Sequence, residues 1–314
     1  MSTATLPRPI AAPRLADPER GHRRRLAASY SVAIASLLGL AAFGARYYML
    51  PFAERPFSER HALLRPTGTL GLRLGFAALA MLLGIFLYPL RKRWSWLSRR
   101  GSSRRWLDYH VLLGLFTPVV VAFHASFKSR GFAGMAFWIM VAVALSGVIG
   151  RYLYAQIPRR LARAELSLKE IQETLARASA ALADERLVPE EHLGLLLCLP
   201  SPARVEEMST LAALGTMVAV DVRQAVGVAR LRRRAVPFPE RVRALGGFLS
   251  TSRADLEHAI ATARREASTA KKVIFLGRAQ QVFRLWHVVH RPFSYTLAIL
   301  VAIHVGVVIT MGYF

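Results

Sequence analysis

The chain has 314 residues, of which 54% are hydrophobic, and carries a formal net charge of +24. This composition is too apolar for an ordinary soluble enzyme of this size. The basic residues cluster at the ends of apolar runs, as positive-inside flanks do, and this distribution excludes nucleic acid as the partner. Cys198 is the single cysteine, which excludes an intramolecular disulfide and a cysteine-ligated iron–sulfur cluster.

The apolar runs predict an all-α, polytopic membrane helix bundle. Residues 1–25 are polar, proline-rich and basic, and we interpret them as a cytoplasmic N-terminal tail. Residues 26–158 and 285–314 hold five segments that are long enough to span a bilayer. These five predicted spans are Leu26–Tyr48, Leu72–Leu90, Leu107–Phe127, Phe132–Tyr154 and Leu285–Met311.

The charges between the spans predict their orientation. The loop Arg91–Arg105, between the second and third spans, carries seven Lys or Arg residues and no Asp or Glu. Such a loop favours the cytoplasmic side, which puts the N-terminus inside and the C-terminus outside. The third and fifth spans then run in the same direction, from the cytoplasm outwards.

Residues 159–284 differ from the rest, because 14 of the 19 acidic residues fall there. We expect a mostly helical cytoplasmic insert. It opens and closes with amphipathic stretches, Leu161–Ala183 and Arg253–Lys272. Short apolar runs between them, such as Leu211–Val222, fit buried helices or strands equally well.

One histidine spacing occurs twice, in the third and in the fifth span. His110 and His124 are 14 residues apart, and so are His290 and His304. Fourteen helical residues return a side chain to within about 40° of its first direction and rise about 21 Å, inside a hydrocarbon layer of about 30 Å. Two parallel helices with this pattern present two His–His pairs, one near each membrane face, which is the arrangement for two stacked haems.

A buried imidazole in hydrocarbon needs partners for its ring nitrogens. Haem iron is one such partner, and a hydrogen-bonding group on a neighbouring helix is the alternative. Gly114 and Ser294 lie one turn from His110 and His290 and remove bulk where a porphyrin would lie, although small residues also pack membrane helices generally.

Other residues are secondary candidates near the cytoplasmic face. Arg105, Arg151 and Arg291 suit haem propionates, or they are ordinary positive-inside anchors. His287 lies about 100° off the face of His304 and is an accessory candidate rather than the ligand. The remaining histidines lie outside the spans and are expected to be solvated; they are His22, His61, His192 and His258.

The paired His-x13-His spacing resembles the membrane domain of ferric reductases and NADPH oxidases, and cytochrome b of the bc type carries a similar pattern. The runs Gly150–Arg160 (GRYLYAQIPRR) and Trp286–Phe293 (WHVVHRPF) resemble bacterial membrane cytochromes. The resemblance implies two non-covalent b-type haems, with His110 and His290 on the inner one and His124 and His304 on the outer one. The flavin and nicotinamide module of the reductases has no counterpart here, and no GxGxxG motif is present.

These features predict a dihaem cytochrome in the bacterial inner membrane, the electron-transfer subunit of an oxidoreductase. It would move electrons between a quinol or cytoplasmic donor and a periplasmic acceptor, with quinone as a further candidate cofactor. Its partners would be the lipid bilayer and redox proteins, and both a homo-oligomer and a larger complex stay open. One alternative is a non-redox membrane sensor or scaffold in which the insert signals or docks. A second is a transporter that uses the intramembrane histidines as proton relays, against which the spans carry no Asp or Glu deep inside.

Overall fold

The structure, a computed structural model, describes residues 19–157, 199–238, 244–245 and 249–312. Within these ranges every regular element is a helix, including a short 3-10 turn at Arg55–Phe57. The α-helices are α1 (Arg20–Met49), α2 (His61–Leu64), α3 (Thr69–Arg91), α4 (Ser95–Ser98), α5 (Ser103–His124), α6 (Gly131–Gln156), α7 (Pro202–Glu207), α8 (Thr210–Ala235), α9 (Ala254–Ile274) and α10 (Leu276–Thr310).

The predicted all-α membrane bundle is confirmed, but the number of candidate spans differs. Six helices in the described ranges are long and apolar enough to cross a membrane, against five predicted. Each predicted span falls on one of α1, α3, α5, α6 and α10, and the sixth candidate is Thr210–Arg234, in α8. The sequence showed a short apolar run there, which the structure extends into one helix because no proline interrupts residues 203–236.

The chain forms two compact units. The first comprises Met1–Gly147 and Phe293–Phe314, and the second comprises Val148–Pro292. The long helices α6 and α10 contribute to both. The predicted limits of the insert, 159 and 284, are not tested by this division, and the predicted helix Leu161–Ala183 lies outside the described residues.

In the first unit, α3 and α5 pack side by side in opposite directions. His110, near the start of α5, hydrogen-bonds to Ile85 near the end of α3, and His124, at the end of α5, bonds to Gly71 near the start of α3. The start of α5 therefore lies beside the end of α3, and the end of α5 lies beside the start of α3, as in an antiparallel helix pair.

The outer part of α10 runs parallel to α5. Its Leu297 is buried together with Leu82 of α3 in one apolar cluster. Seven residues later, His304 is close enough to His124 for the two rings to interact electrostatically. From Leu297 to His304, α10 therefore moves towards the start of α3, against the direction of α3 and along that of α5.

Two buried arginines fix the turns at the ends of α3 and α5. Arg55 is 5% exposed and donates to the backbone carbonyls of Leu50 (3.0 Å), Tyr48 (2.7 Å) and Ser126 (2.5 Å). Arg91 is 8% exposed and donates to the carbonyls of Ser98 and Gly101 and to the hydroxyl of Ser103. These bonds satisfy carbonyls that irregular backbone would otherwise leave unpaired. Through Ser126 and Ser103, these bonds connect the turns to the two ends of α5, which carries His110 and His124.

In the second unit, α8 and α9 form an antiparallel pair held by charge. Asp221, in the middle of α8, pairs with Lys271 near the end of α9, whereas Arg232, near the end of α8, makes two bonds of 2.9 and 2.6 Å with Glu257 near the start of α9. α9 carries seven Asp, Glu, Lys or Arg residues among its 21. Because α8 packs along so charged a helix, the contact favours α8 as part of the insert rather than a membrane span.

Candidate functional site

The imidazoles of His110 and His124 each form a hydrogen bond with the backbone of α3. Nδ1 of His110 lies 2.9 Å from the carbonyl oxygen of Ile85, and Nδ1 of His124 lies 2.8 Å from that of Gly71. A carbonyl only accepts, so each Nδ1 carries the proton and donates it. In the neutral ring Nε2 then holds a lone pair, and this is the form of histidine that binds a metal.

The two carbonyls repeat the spacing of the histidines. Ile85 and Gly71 are 14 residues apart on α3, as His110 and His124 are on α5. In an antiparallel pair of straight helices, equal spacings bring both histidines level with their acceptors. The doubled pattern therefore has a structural counterpart on a helix that contains no histidine of its own.

Pro89 explains why the carbonyl of Ile85 can accept from His110. In a helix that carbonyl would take the amide N–H of residue 89, but Pro89 lies inside α3 and has no N–H. The side chain of His110 supplies the donor that the backbone lacks.

Gly75 explains how His124 reaches α3. A Cβ atom at position 75 would lie 2.8 Å from Cε1 and 3.0 Å from Nδ1 of the His124 ring. Only glycine leaves room for the imidazole at this point, one turn along α3 from its acceptor Gly71.

The outer predicted ligands, His304 and His124, belong to the same compact unit, and both are partly exposed. That they form a ligand pair stays a prediction. A Cβ at Gly114 would meet no atom within 4 Å, whereas Thr117, further along the same face of α5, is buried. The imidazoles of His124 and His304 are of the chemical type that holds a bis-histidine haem.

The inner predicted ligand His290 lies in the second unit and has a different environment. Its ring stacks on the indole of Trp286, with 4.6 Å between centroids and 28° between planes. His290 and His110 belong to different units, and their pairing stays a prediction.

His287 shows the same hydrogen-bonding pattern as His110 and His124. Its Nδ1 lies 2.9 Å from the carbonyl of Phe283, one turn back on α10. Its ring also contacts those of Phe283 and Trp286 edge-on. The accessory role predicted for His287 is not tested by these contacts.

The side chains of the remaining site candidates are exposed or partly exposed. Arg291 is exposed, and Arg151 and Ser294 are partly exposed. None of these positions tests the predicted contacts with propionates or porphyrin. In the part of the chain that the structure describes, no three His, Cys, Asp or Glu side chains gather as a metal site, and a bis-histidine haem needs two.

Sequence reasoning was wrong about His22, which it expected to be solvated. Nε2 of His22 lies 3.0 Å from Oδ2 of Asp108, and both side chains are less than 10% exposed. His61 is partly buried and hydrogen-bonds to Tyr47, His258 is exposed, and His192 lies outside the described residues. The His22–Asp108 pair connects the start of α1 to the start of α5, two helices that pack against each other.

Sequence reasoning also missed the part played by α3, whose backbone carbonyls accept hydrogen bonds from His110 and His124. The acceptors are backbone atoms and leave no mark of their own in the sequence. A proline and a glycine inside the same span, Pro89 and Gly75, were the available signals.

No family model, curated protein or solved structure matches the chain.

Proposed function

We propose that the protein is an integral membrane b-type cytochrome that carries two haems and moves electrons across the bacterial inner membrane. The donor would be a quinol or a cytoplasmic protein, and the acceptor a periplasmic protein. The N-terminus would lie in the cytoplasm and the C-terminus in the periplasm. The long apolar helices of the described residues support a multi-pass membrane protein.

The observation that carries this proposal is the matched pair of histidine–carbonyl bonds between α5 and α3. A histidine that binds a metal generally donates its other ring N–H to a carbonyl, carboxylate or water, which fixes the ring and raises its basicity. His110 and His124 both have this arrangement, about 21 Å apart along α5.

In this proposal the residues divide into two ligand pairs. His124 and His304 hold the outer haem, and His110 and His290 hold the inner one. Each haem, when bound, supplies an iron centre that takes up and releases one electron. The chain itself sets the positions and potentials through axial ligation, burial and the carbonyl bonds behind the ligands.

A reduced-minus-oxidised spectrum with haem quantitation tests the proposal. We expect a Soret band, a sharp α-band on dithionite reduction and about two haems per chain in protein purified from haem-replete cells. A colourless protein would contradict the proposal.

Two substitutions test the pairing. His110→Ala and His124→Ala should each remove one haem of the two, because an axial ligand is lost in each case. His258→Ala is the matched control, since His258 is exposed on α9 and should leave both haems in place. If neither His110→Ala nor His124→Ala reduced the haem content, the pairing would be wrong.

A second candidate function, a non-redox sensor or scaffold, is favoured by one contact. Tyr152 of α6 donates a hydrogen bond of 2.6 Å to Asp221 of α8, so a membrane helix is tied directly to the helices of the insert. Here the histidines would serve only as hydrogen-bond donors to α3. The absence of any haem spectrum from a folded, monodisperse protein would support this function.

A further inference from the structure

Trp286 lies between a glycine and a histidine. Its indole is so close to Gly150 of α6 that a Cβ there would stand 2.2 Å from Cζ2 and 2.3 Å from Cε2. The indole also stacks on the ring of His290, at 4.6 Å and 28°. All three residues belong to the second compact unit.

Neighbouring rings restrain the indole further. Phe283 stacks on Trp286 with 5.4 Å between centroids and 19° between planes, and Tyr154 of α6 contacts Phe283. The stacked series Phe283–Trp286–His290 follows one side of α10 and ends at a predicted ligand. A ring held between a backbone and another ring has few rotamers open to it.

We propose that Trp286 is a positioning residue that sets the plane of the His290 imidazole as an axial haem ligand, with Gly150 providing the space for its indole. This inference rests on the proposed function. The plane of an axial imidazole affects the electronic structure of the iron, so a free ring and a held ring give different spectra and potentials.

Electron paramagnetic resonance of the oxidised protein, together with redox titration, tests the inference. In Trp286→Leu we expect the low-spin signal and the midpoint potential of one haem to shift, while those of the other haem stay as in the wild type. Gly150→Ala should shift the same signal, because its Cβ displaces the indole. Trp286→Phe keeps an aromatic ring for stacking and should restore the wild-type signal.

Gly277→Ala is the matched control, because Gly277 also lies on α10 in the second unit and a Cβ there would meet nothing within 4 Å. It should change neither signal. Two haems with unchanged signals and potentials in Trp286→Leu would overturn the inference and leave the proposed function intact. A wild-type protein without haem would instead overturn the proposed function on which the inference rests.

Discussion

At the scale of single residues, backbone carbonyls select the protonation of the histidines. The acceptors of His110 and His124 can only receive a proton, so both rings have Nδ1–H and an Nε2 lone pair. In hydrocarbon this choice is strongly enforced, since an unpaired polar group there costs several kcal/mol. The helix backbone thus fixes the tautomer of each neutral imidazole, as the proposed haem ligation requires.

Gly75→Ala tests the space beside His124. The added methyl group would lie 2.8 Å from the ring, so the imidazole must move away from its acceptor. We expect the affinity for the outer haem to fall by about 10- to 100-fold, the usual cost of losing a bond behind a metal ligand, with the inner haem unaffected. Haem titration of the apoprotein measures this. Gly39→Ala, where a Cβ would meet nothing within 4 Å, is the control, and equal losses in both variants would contradict the idea.

At the scale of elements, α3 serves as a second layer behind α5. It packs against α5 along its length and offers two carbonyls at the histidine spacing. For equal spacings on two antiparallel helices to match, neither helix can bend sharply between the two histidine–carbonyl bonds. Pro89 does not bend α3 there, because it follows the acceptor Ile85 and does not lie between Gly71 and Ile85. The proline therefore frees a carbonyl without disturbing the register.

Pro89→Ala tests this role of the proline. Alanine restores the backbone N–H that competes with His110 for the carbonyl of Ile85, so the His110 bond should weaken and the ring become less basic. A less basic ligand stabilises ferric iron less, and we expect the inner haem potential to rise in a redox titration. The outer haem provides the internal control, because its acceptor Gly71 lies 18 residues from position 89. An unchanged or lowered inner potential would contradict this account.

The pair of helices α8 and α9 should show a dependence on acidic pH. Burial would raise the pKa of Glu257, but the hydrogen bonds from Arg232 and Thr251 and the charge of Arg232 outweigh it and lower the pKa below 4.5. A carboxyl group with a lowered pKa stabilises the folded state above its unfolded pKa, and this stability is lost as the pH falls through the folded value. The protection factors of the α9 amides in hydrogen exchange, which correct for the pH dependence of the intrinsic exchange rate, should therefore fall below about pH 4.5.

Glu257→Gln should remove that part of the pH dependence and destabilise the pair at neutral pH by about 1.5–3 kcal/mol, the usual contribution of hydrogen bonds to a charged group. Glu207→Gln, at an exposed position of α7, is the control and should retain the wild-type profile. Identical profiles for the wild type and Glu257→Gln would rule out Glu257 as the titrating group.

At the scale of the whole molecule, the number of membrane crossings decides whether the histidines can pair as predicted. If α8 crossed the membrane in addition to the five predicted spans, α10 would run opposite to α5. The first unit shows the reverse, because α10 passes from the level of Leu82 to that of His124 in the direction of α5.

Cysteine labelling tests the topology. In a Cys198→Ser background, a membrane-impermeant thiol reagent applied from outside should label Arg130→Cys, between α5 and α6, and Met311→Cys, at the end of α10. It should leave Ala254→Cys, at the start of α9, unlabelled until the membrane is opened. Labelling of Ala254→Cys from outside would mean that α8 crosses the membrane, and the levels of the two haem pairs would then be wrong.

The sequence alone determined the features that depend on local order along the chain. Hydropathy and periodicity gave the five spans, and the 14-residue spacing put His110 with His124, and His290 with His304, on shared faces of single helices. These properties follow from the rise and turn of a helix, which neighbouring segments do not alter.

Only the tertiary structure decided which atoms meet those histidines. The acceptor of His110 is 25 residues away along the chain and that of His124 is 53 residues away, and both are main-chain atoms that any residue type possesses. The burial of His22 against Asp108, 86 residues apart, has the same origin. Such contacts depend on the register between packed helices, which is set by the fit of side chains across the interface and by the close approach that Gly75 permits, rather than by the pattern within either helix.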